Sequence, residues 1–317
     1  MTCRSALPAV IAACALQPPP ATTPAPPRRP AAPDTEIYLA PLKIAGNRLE
    51  VGAVTNISHS PGYDNQPSFT RDGASILFTS ARRGEQTDIY RYDLESKETT
   101  QITSTPESEY SPTETPDGGL SVVRVEADGT QRLWRFTANG QDPKVLLESI
   151  KPVGYHAWAD DHTVALYILG QSGTNQPSTL QIADTKTGTA RLVATDIGRS
   201  LLKIPGRRAI SFVQRQTVGE KVSLVIKELD PVSGSSRVLT AAVEGSGDAD
   251  CAWTPDGRLL MARGDRLYAT LTTSGSAGLQ PRGWEEVAGL ERLGLHGVTR
   301  LAVSPNGDWI AIVAAPN

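Results

Sequence analysis

The chain has 317 residues, 39% of them hydrophobic and 21% charged, with 31 Lys and Arg against 34 Asp and Glu for a formal net charge of -3. That is enough apolar material for a large packed core, and the near balance of charge excludes a global field favouring nucleic acid or an anionic membrane. With 28 Gly and 24 Pro, frequent turns are favoured over long helices, and composition points to an all-β chain.

In chain order, residues 1–14 come first. A lone Arg4 precedes an apolar run from Ala6 to Ala13, and Cys14 follows. The run falls short of the roughly 18 residues that span a bilayer, but it matches the apolar stretch of a secretory signal. Ile11-Ala12-Ala13-Cys14 resembles a bacterial lipobox. That resemblance implies cleavage before Cys14, lipidation of its sulfur and, with Ala15 next in line, sorting to the outer membrane. The single basic residue and Pro8 depart from the pattern, so an unacylated signal and a cytosolic N-terminus remain as alternatives. Residues 15–34 form a Pro-rich linker with eight prolines between Ala15 and Pro33. Such a segment favours polyproline II and reaches up to roughly 60 Å at about 3.1 Å per residue; a disordered tail is the plainer alternative. Only Cys251 lies beyond the leader, so no disulfide forms within the domain. Between Asp250 and Ala252-Trp253 it reads as a small buried strand residue.

Residues 35–317 carry a repeat. The segments 66–80, 111–125, 155–168, 200–213, 250–262 and 300–313 each read as a short strand, a turn and an alternating apolar strand. Their turn residues are Asp72, Asp117, Asp161, Gly206, Asp256 and Asn306, recurring about every 44 to 50 residues. Further strand pairs lie between hairpins, clearest at 87–94 with 99–103 and at 180–184 with 190–194. Four strands per unit at this period predict a six-bladed β-propeller of four-stranded antiparallel blades. The last hairpin stops near the carboxyl end, and the missing outer strands are supplied by 36–42 and 49–55. The ring is therefore expected to close by N- and C-terminal strands sharing one blade.

The turns Phe69-Thr-Arg-Asp-Gly73, Thr115-Pro-Asp-Gly118, Trp253-Thr-Pro-Asp-Gly257 and Val303-Ser-Pro-Asn-Gly307 resemble the TolB-like family of six-bladed propellers. The third and fourth copies depart from its motif, with His162 replacing glycine and Lys203-Ile-Pro-Gly206 lacking the acid. The resemblance implies an envelope protein that binds other proteins; related propellers also serve as gates on serine peptidases. A blade motif does not specify an activity.

Chemistry in such a ring is expected where the loops entering the inner strands meet at one mouth of the channel. Those loops carry Tyr63, Asp64, Asn65, Glu109, Tyr110, Tyr155, His156, Arg199, Asp248, Asp250 and Arg300. They read as a surface for a protein or peptide partner, with Tyr110 and Tyr155 as anchors and Arg199 and Arg300 as charged contacts. Carboxylates that merely cap turns and solvate the channel are the bland alternative. His156 reads as a hydrogen-bonded core residue, with Asp161 as a possible neighbour. Glu114 stands in a column otherwise held by Phe69, Trp158, Trp253 and Val303, where a carboxylate needs a partner such as Arg71 or Arg124.

The four histidines form no His-x-x-x-His pair, and the chain contains no Cys-x-x-Cys, Gly-x-Ser-x-Gly or Walker loop. No cofactor and no metal is expected; a hard cation on Asp64, Glu109, Asp248 and Asp250 is the alternative. The basic pairs Arg82-Arg83 and Arg207-Arg208 are separated, as in solvated turns rather than a nucleic-acid surface. The expectation is a noncatalytic, monomeric, periplasmic propeller, lipid-anchored to the outer membrane. The alternative is a small-molecule or carbohydrate-active hydrolase or lyase whose acid and base come from an acidic channel ring.

Overall fold

Each turn motif builds its hairpin by the same local chemistry. The hydroxyl of Thr70, Thr115, Thr254 or Ser304 donates to the side-chain oxygen two residues on, in Asp72, Asp117, Asp256 or Asn306, at 2.5–2.6 Å. The glycine N–H then closes the turn onto the same residue's carbonyl, as in Gly118 to Thr115 at 3.0 Å and Gly257 to Thr254 at 2.9 Å. These glycines lie at φ values of 72 to 87°, where a Cβ is strained. In the third copy Asp160, not Asp161, does this work, accepting the N–H groups of His162 and Thr163 at 3.1 and 2.9 Å. In the fourth, Gly206 at φ 67° turns the chain between Ile197–Lys203 and Ile210–Val218 without an acid.

A computed structural model describes residue 1 and residues 32–317, apart from positions 47, 85, 172, 175, 220, 276 and 277. The expected signal, Cys14 and the linker up to residue 31 lie outside the described residues. Six antiparallel sheets follow one another along the chain from Ala32 to Asn317. Blade one runs Asp64–Phe69, Ser75–Ser80, Asp88–Asp93 and Thr99–Gln101, and the next four keep that order, each inner strand first. Blades two to five begin with the inner strands Ser108–Glu114, Val153–Trp158, Ile197–Lys203 and Cys251–Trp253. The described helical content is one short 3-10 turn, Leu290–Leu293.

Blade six takes its inner pair, Arg300–Val303 and Trp309–Ala314, from the C-terminus and its outer strands, Glu36–Ala45 and Arg48–Val51, from the N-terminus. Glu36 to Pro41 pair with Ala314 to Trp309 in unbroken antiparallel register. Thr55–Asn56 adds a further short pairing on Glu36–Ala45. The shared-strand closure read from the sequence is therefore present.

Six apolar clusters form the core, one at each blade interface. Side-chain alternation along a strand makes this possible, because successive residues face opposite neighbours. Ile37 and Leu39 pack with Ile76 and Phe78 of blade one. Tyr38, Ala40 and Leu42 pack with Leu260 and Leu267 of blade five. Indole N–H groups add a polar stitch between blades: Trp158 donates to Ser121 Oγ at 3.0 Å, and Trp253 to Ser211 Oγ at 2.8 Å. Glu114 finds its partner between blades as well, accepting the Arg71 backbone N–H at 2.7 Å, while the Arg71 guanidinium donates to the Pro116 carbonyl at 3.0 Å. Cys251 is buried and lies 3.2 Å from Ser200 Oγ, and burial pushes its thiol up to about 12.

Candidate functional site

The channel is lined by one residue from each blade at a fixed place in the repeat. Gln66, Ser111, Tyr155, Ser200, Asp250 and Arg300 each stand six positions before their turn residue, and all six border the central cavity of about 140 Å³. Four of the six inner strands shift register near this level, between Asn65 and Ser68, Tyr110 and Thr113, Val153 and Tyr155, and Ile197 and Leu201. Such bulges re-aim side chains. Gln66 and Ser111 adopt left-handed backbone, at φ 57° and 53°, a conformation found at turns and at strained functional positions. Gln66 Oε1 accepts the Ser111 N–H at 2.7 Å and so joins blades one and two at the channel wall.

Arg300 organises the opposite wall. Its guanidinium donates to Asp250 Oδ2 at 3.2 Å and, across the channel, to the Tyr155 hydroxyl at 2.9 Å. The same guanidinium lies 5.1 Å from the Tyr155 ring centroid. Burial works against its charge, but Asp250 and the phenols of Tyr155 and Tyr63 outweigh that and hold its pKa above the usual arginine value. Burial also pushes the Asp250 carboxyl up, against the pull of Arg300 and Arg199. Arg199 pairs with Asp248 at 3.2 Å and Asp250 at 3.6 Å, and donates to the Thr299 carbonyl at 3.2 Å.

Above this level the channel opens into a mouth cavity of about 480 Å³. Tyr63, Asn65, Tyr155, Arg199, Asp248 and Arg300 line it together with Pro33, Asp34 and Thr35. The N-terminal residues arrive there because Thr35 pairs in parallel with Tyr63 and its hydroxyl donates to the Asp64 carbonyl at 3.0 Å. Desolvation raises the Tyr63 phenol to about 12, against the opposing pull of Arg300.

Seven of the eleven residues read from the sequence thus border the channel or its mouth: Tyr63, Asn65, Tyr155, His156, Arg199, Asp250 and Arg300, with Asp248 at the rim as an eighth. Three stand elsewhere. Asp64 is buried with Ser80 and Arg82, its carboxyl raised by burial to about 6. Glu109 is buried among Thr103, Thr105 and Arg124, and burial raises it to about 7. Neither borders the channel, so the ring of four converging carboxylates is replaced by Asp248 and Asp250, both paired with arginine. Tyr110 packs edge-on against Tyr63, with ring centroids 6.4 Å apart.

His156 lies on the wall of the central cavity, but its partner is Ser121 Oγ at 2.8 Å rather than Asp161. Ser121 donates its one proton to the Thr113 carbonyl at 3.1 Å. His156 then carries its proton on Nε2 and leaves Nδ1 as a buried acceptor. Burial depresses its pKa to about 4, which keeps the ring neutral. Among the described residues, no group of three or more His, Cys, Asp or Glu is arranged to hold a metal ion. Sequence reading missed Gln66, Ser111 and the Pro33–Thr35 wall. The constant offset from the turn residue could have found the first two; Pro33–Thr35 has no local signal.

No family model matches the sequence. Solved structures do match the fold. A protein assigned as TolB from Agrobacterium tumefaciens aligns with a TM-score of 0.62 at 16% identity, over 90% of this chain and 99% of that one. TolB from Acinetobacter baumannii aligns at 0.52 and 13% identity, over 89% of this chain and 64% of its own length. An oligogalacturonate lyase in complex with manganese aligns at 0.50 and 16% identity, over 91% of this chain and 99% of that one. Across nine-tenths of its length, the chain has the fold of the TolB six-bladed propellers.

Proposed function

We propose that the chain is a noncatalytic, monomeric envelope propeller that docks a protein or peptide partner at the channel mouth. The observation that carries this reading is the convergence of Tyr63, Tyr155, Arg199 and Arg300 on one cavity of about 480 Å³. Tyrosine and arginine in a partly desolvated hollow are the residue types that dominate binding energy. The location is the periplasm, with Cys14 acylated and the outer membrane as anchor; the lipobox-like leader supports this, and labelling with palmitate that is lost in Cys14→Ser tests it. No nucleic acid is involved.

The docking reading is tested by placing a photoreactive residue at Asp248, on the rim, and at Leu192, which is 61% exposed on the outer strand of blade three. One partner captured only from Asp248 is the expected result. Equal or empty capture at both positions sinks the reading.

A second reading, a carbohydrate-active hydrolase or lyase, retains support because an oligogalacturonate lyase shares this ring fold. Its acid and base would be Asp248 and Asp250, the carboxylates at the channel. Turnover of an oligosaccharide that disappears in Asp250→Asn while the fold persists would establish it in place of the first.

A further inference from the structure

The arginines at the waist of the channel have more donors than partners. Each guanidinium presents five N–H groups. Arg300 spends one on Asp250 and one on Tyr155. Arg199 meets Asp248, Asp250 and the Thr299 carbonyl, and its Nε is buried without a hydrogen-bond partner. Both side chains line the mouth cavity and the narrower one below it, and a planar guanidinium fork at a cavity wall favours a carboxylate.

Geometry limits how such a group arrives. The Arg300–Tyr155 contact bars the channel, and the cavity beyond it is about 140 Å³, room for about four waters rather than a chain passing through. An occupant reaches the arginines end-on from the mouth. The rim has the opposite charge: Asp248 is 67% exposed at its side chain, and Asp34 stands on the same wall. Positive floor and negative rim together describe a peptide end with a basic residue shortly before its terminus.

We infer that the mouth captures the free carboxyl terminus of a partner, with the carboxylate on Arg199 and Arg300 and a preceding Lys or Arg at Asp248 and Asp34. This inference rests on the docking reading above and narrows its partner to an exposed chain end.

The probe is the fluorescein-labelled tetrapeptide Gly-Ala-Lys-Ala as free acid, followed by anisotropy against the full chain. The free acid is expected to bind at least tenfold more tightly than its C-terminal amide. Arg199→Gln should remove that preference, and Arg199→Lys, which keeps the charge but loses the fork, should restore only part of it. Asp248→Asn should cost the Lys-containing peptide about threefold. Equal binding of acid and amide, or no binding of either, overturns the inference. The two proposals fail separately. A partner captured at Asp248 that is still captured after five residues are added to its carboxyl terminus removes the chain-end reading alone, whereas absence of any capture removes docking itself.

Discussion

Arg300 on blade six donates to the Tyr155 hydroxyl on blade three at 2.9 Å, joining two blades that face each other across the ring. They lie 145 residues apart in the chain, yet the contact forms because both side chains come from the same place in their repeats. Asp250 completes the arrangement by compensating the arginine charge from blade five.

The stability cost of these partners is expected to differ. Tyr155→Phe removes one hydroxyl acceptor and leaves the ring in place, so unfolding free energy should fall by about 1 kcal/mol. Asp250→Asn leaves Arg300 and Arg199 short of a counter-charge in a partly dry site and should cost about 3 kcal/mol. Urea denaturation of the two variants checks the order; a larger loss in Tyr155→Phe would show that the cross-channel contact, not charge compensation, governs the waist.

Stability is expected to fall as pH rises through neutrality. Burial raises the Glu109 carboxyl from 4.5 to about 7, against the opposing hydrogen bonds of Thr105 and Thr103 and the charge of Arg124. The folded protein therefore holds the proton more tightly than the unfolded chain. The corresponding stability is complete below pH ~4.5 and lost as pH passes 7, an effect of order 3 kcal/mol. Asp64, raised by burial to about 6, acts in the same direction over a lower window. Denaturation midpoints at pH 5, 6, 7 and 8 should decline in the wild type and flatten in Glu109→Gln. An unchanged slope in that variant would assign the titration to another group.

Ser121 serves two buried donors at once, the Trp158 indole at 3.0 Å and His156 Nε2 at 2.8 Å. Ser121→Ala strands both buried donors and should cost about 2–4 kcal/mol, more than the roughly 1 kcal/mol of Trp158→Phe, which removes a donor and its need together. Thermal unfolding of the two variants tests this. If they lose the same stability, Ser121 is not shared in solution.

The blades were legible in the sequence because their signal is local. A Thr-Pro-Asp-Gly turn closes on itself through the Thr hydroxyl and the Gly N–H, and alternation along Glu36–Ala45 already states that two faces need cover. Shared-strand closure followed from counting strands at each end. Side-chain direction at the channel was not legible. Asp64 and Glu109 stand eight positions before their turns, and Asp250 and Arg300 six before theirs. All four lie within the same entering loops. The inner strands bulge at this level, so one or two residues decide whether a carboxyl faces the channel or a neighbouring blade. Likewise, nothing in Pro33–Thr35 announces that closing the last blade carries the N-terminal segment over the mouth. The sequence by itself determined the repeat, its period and its closure, because hydrogen bonds within a turn and apolar alternation within a strand need only neighbours. The tertiary structure alone decided which polar residues share a cavity, because burial and charge pairing depend on strands that meet only when the ring closes.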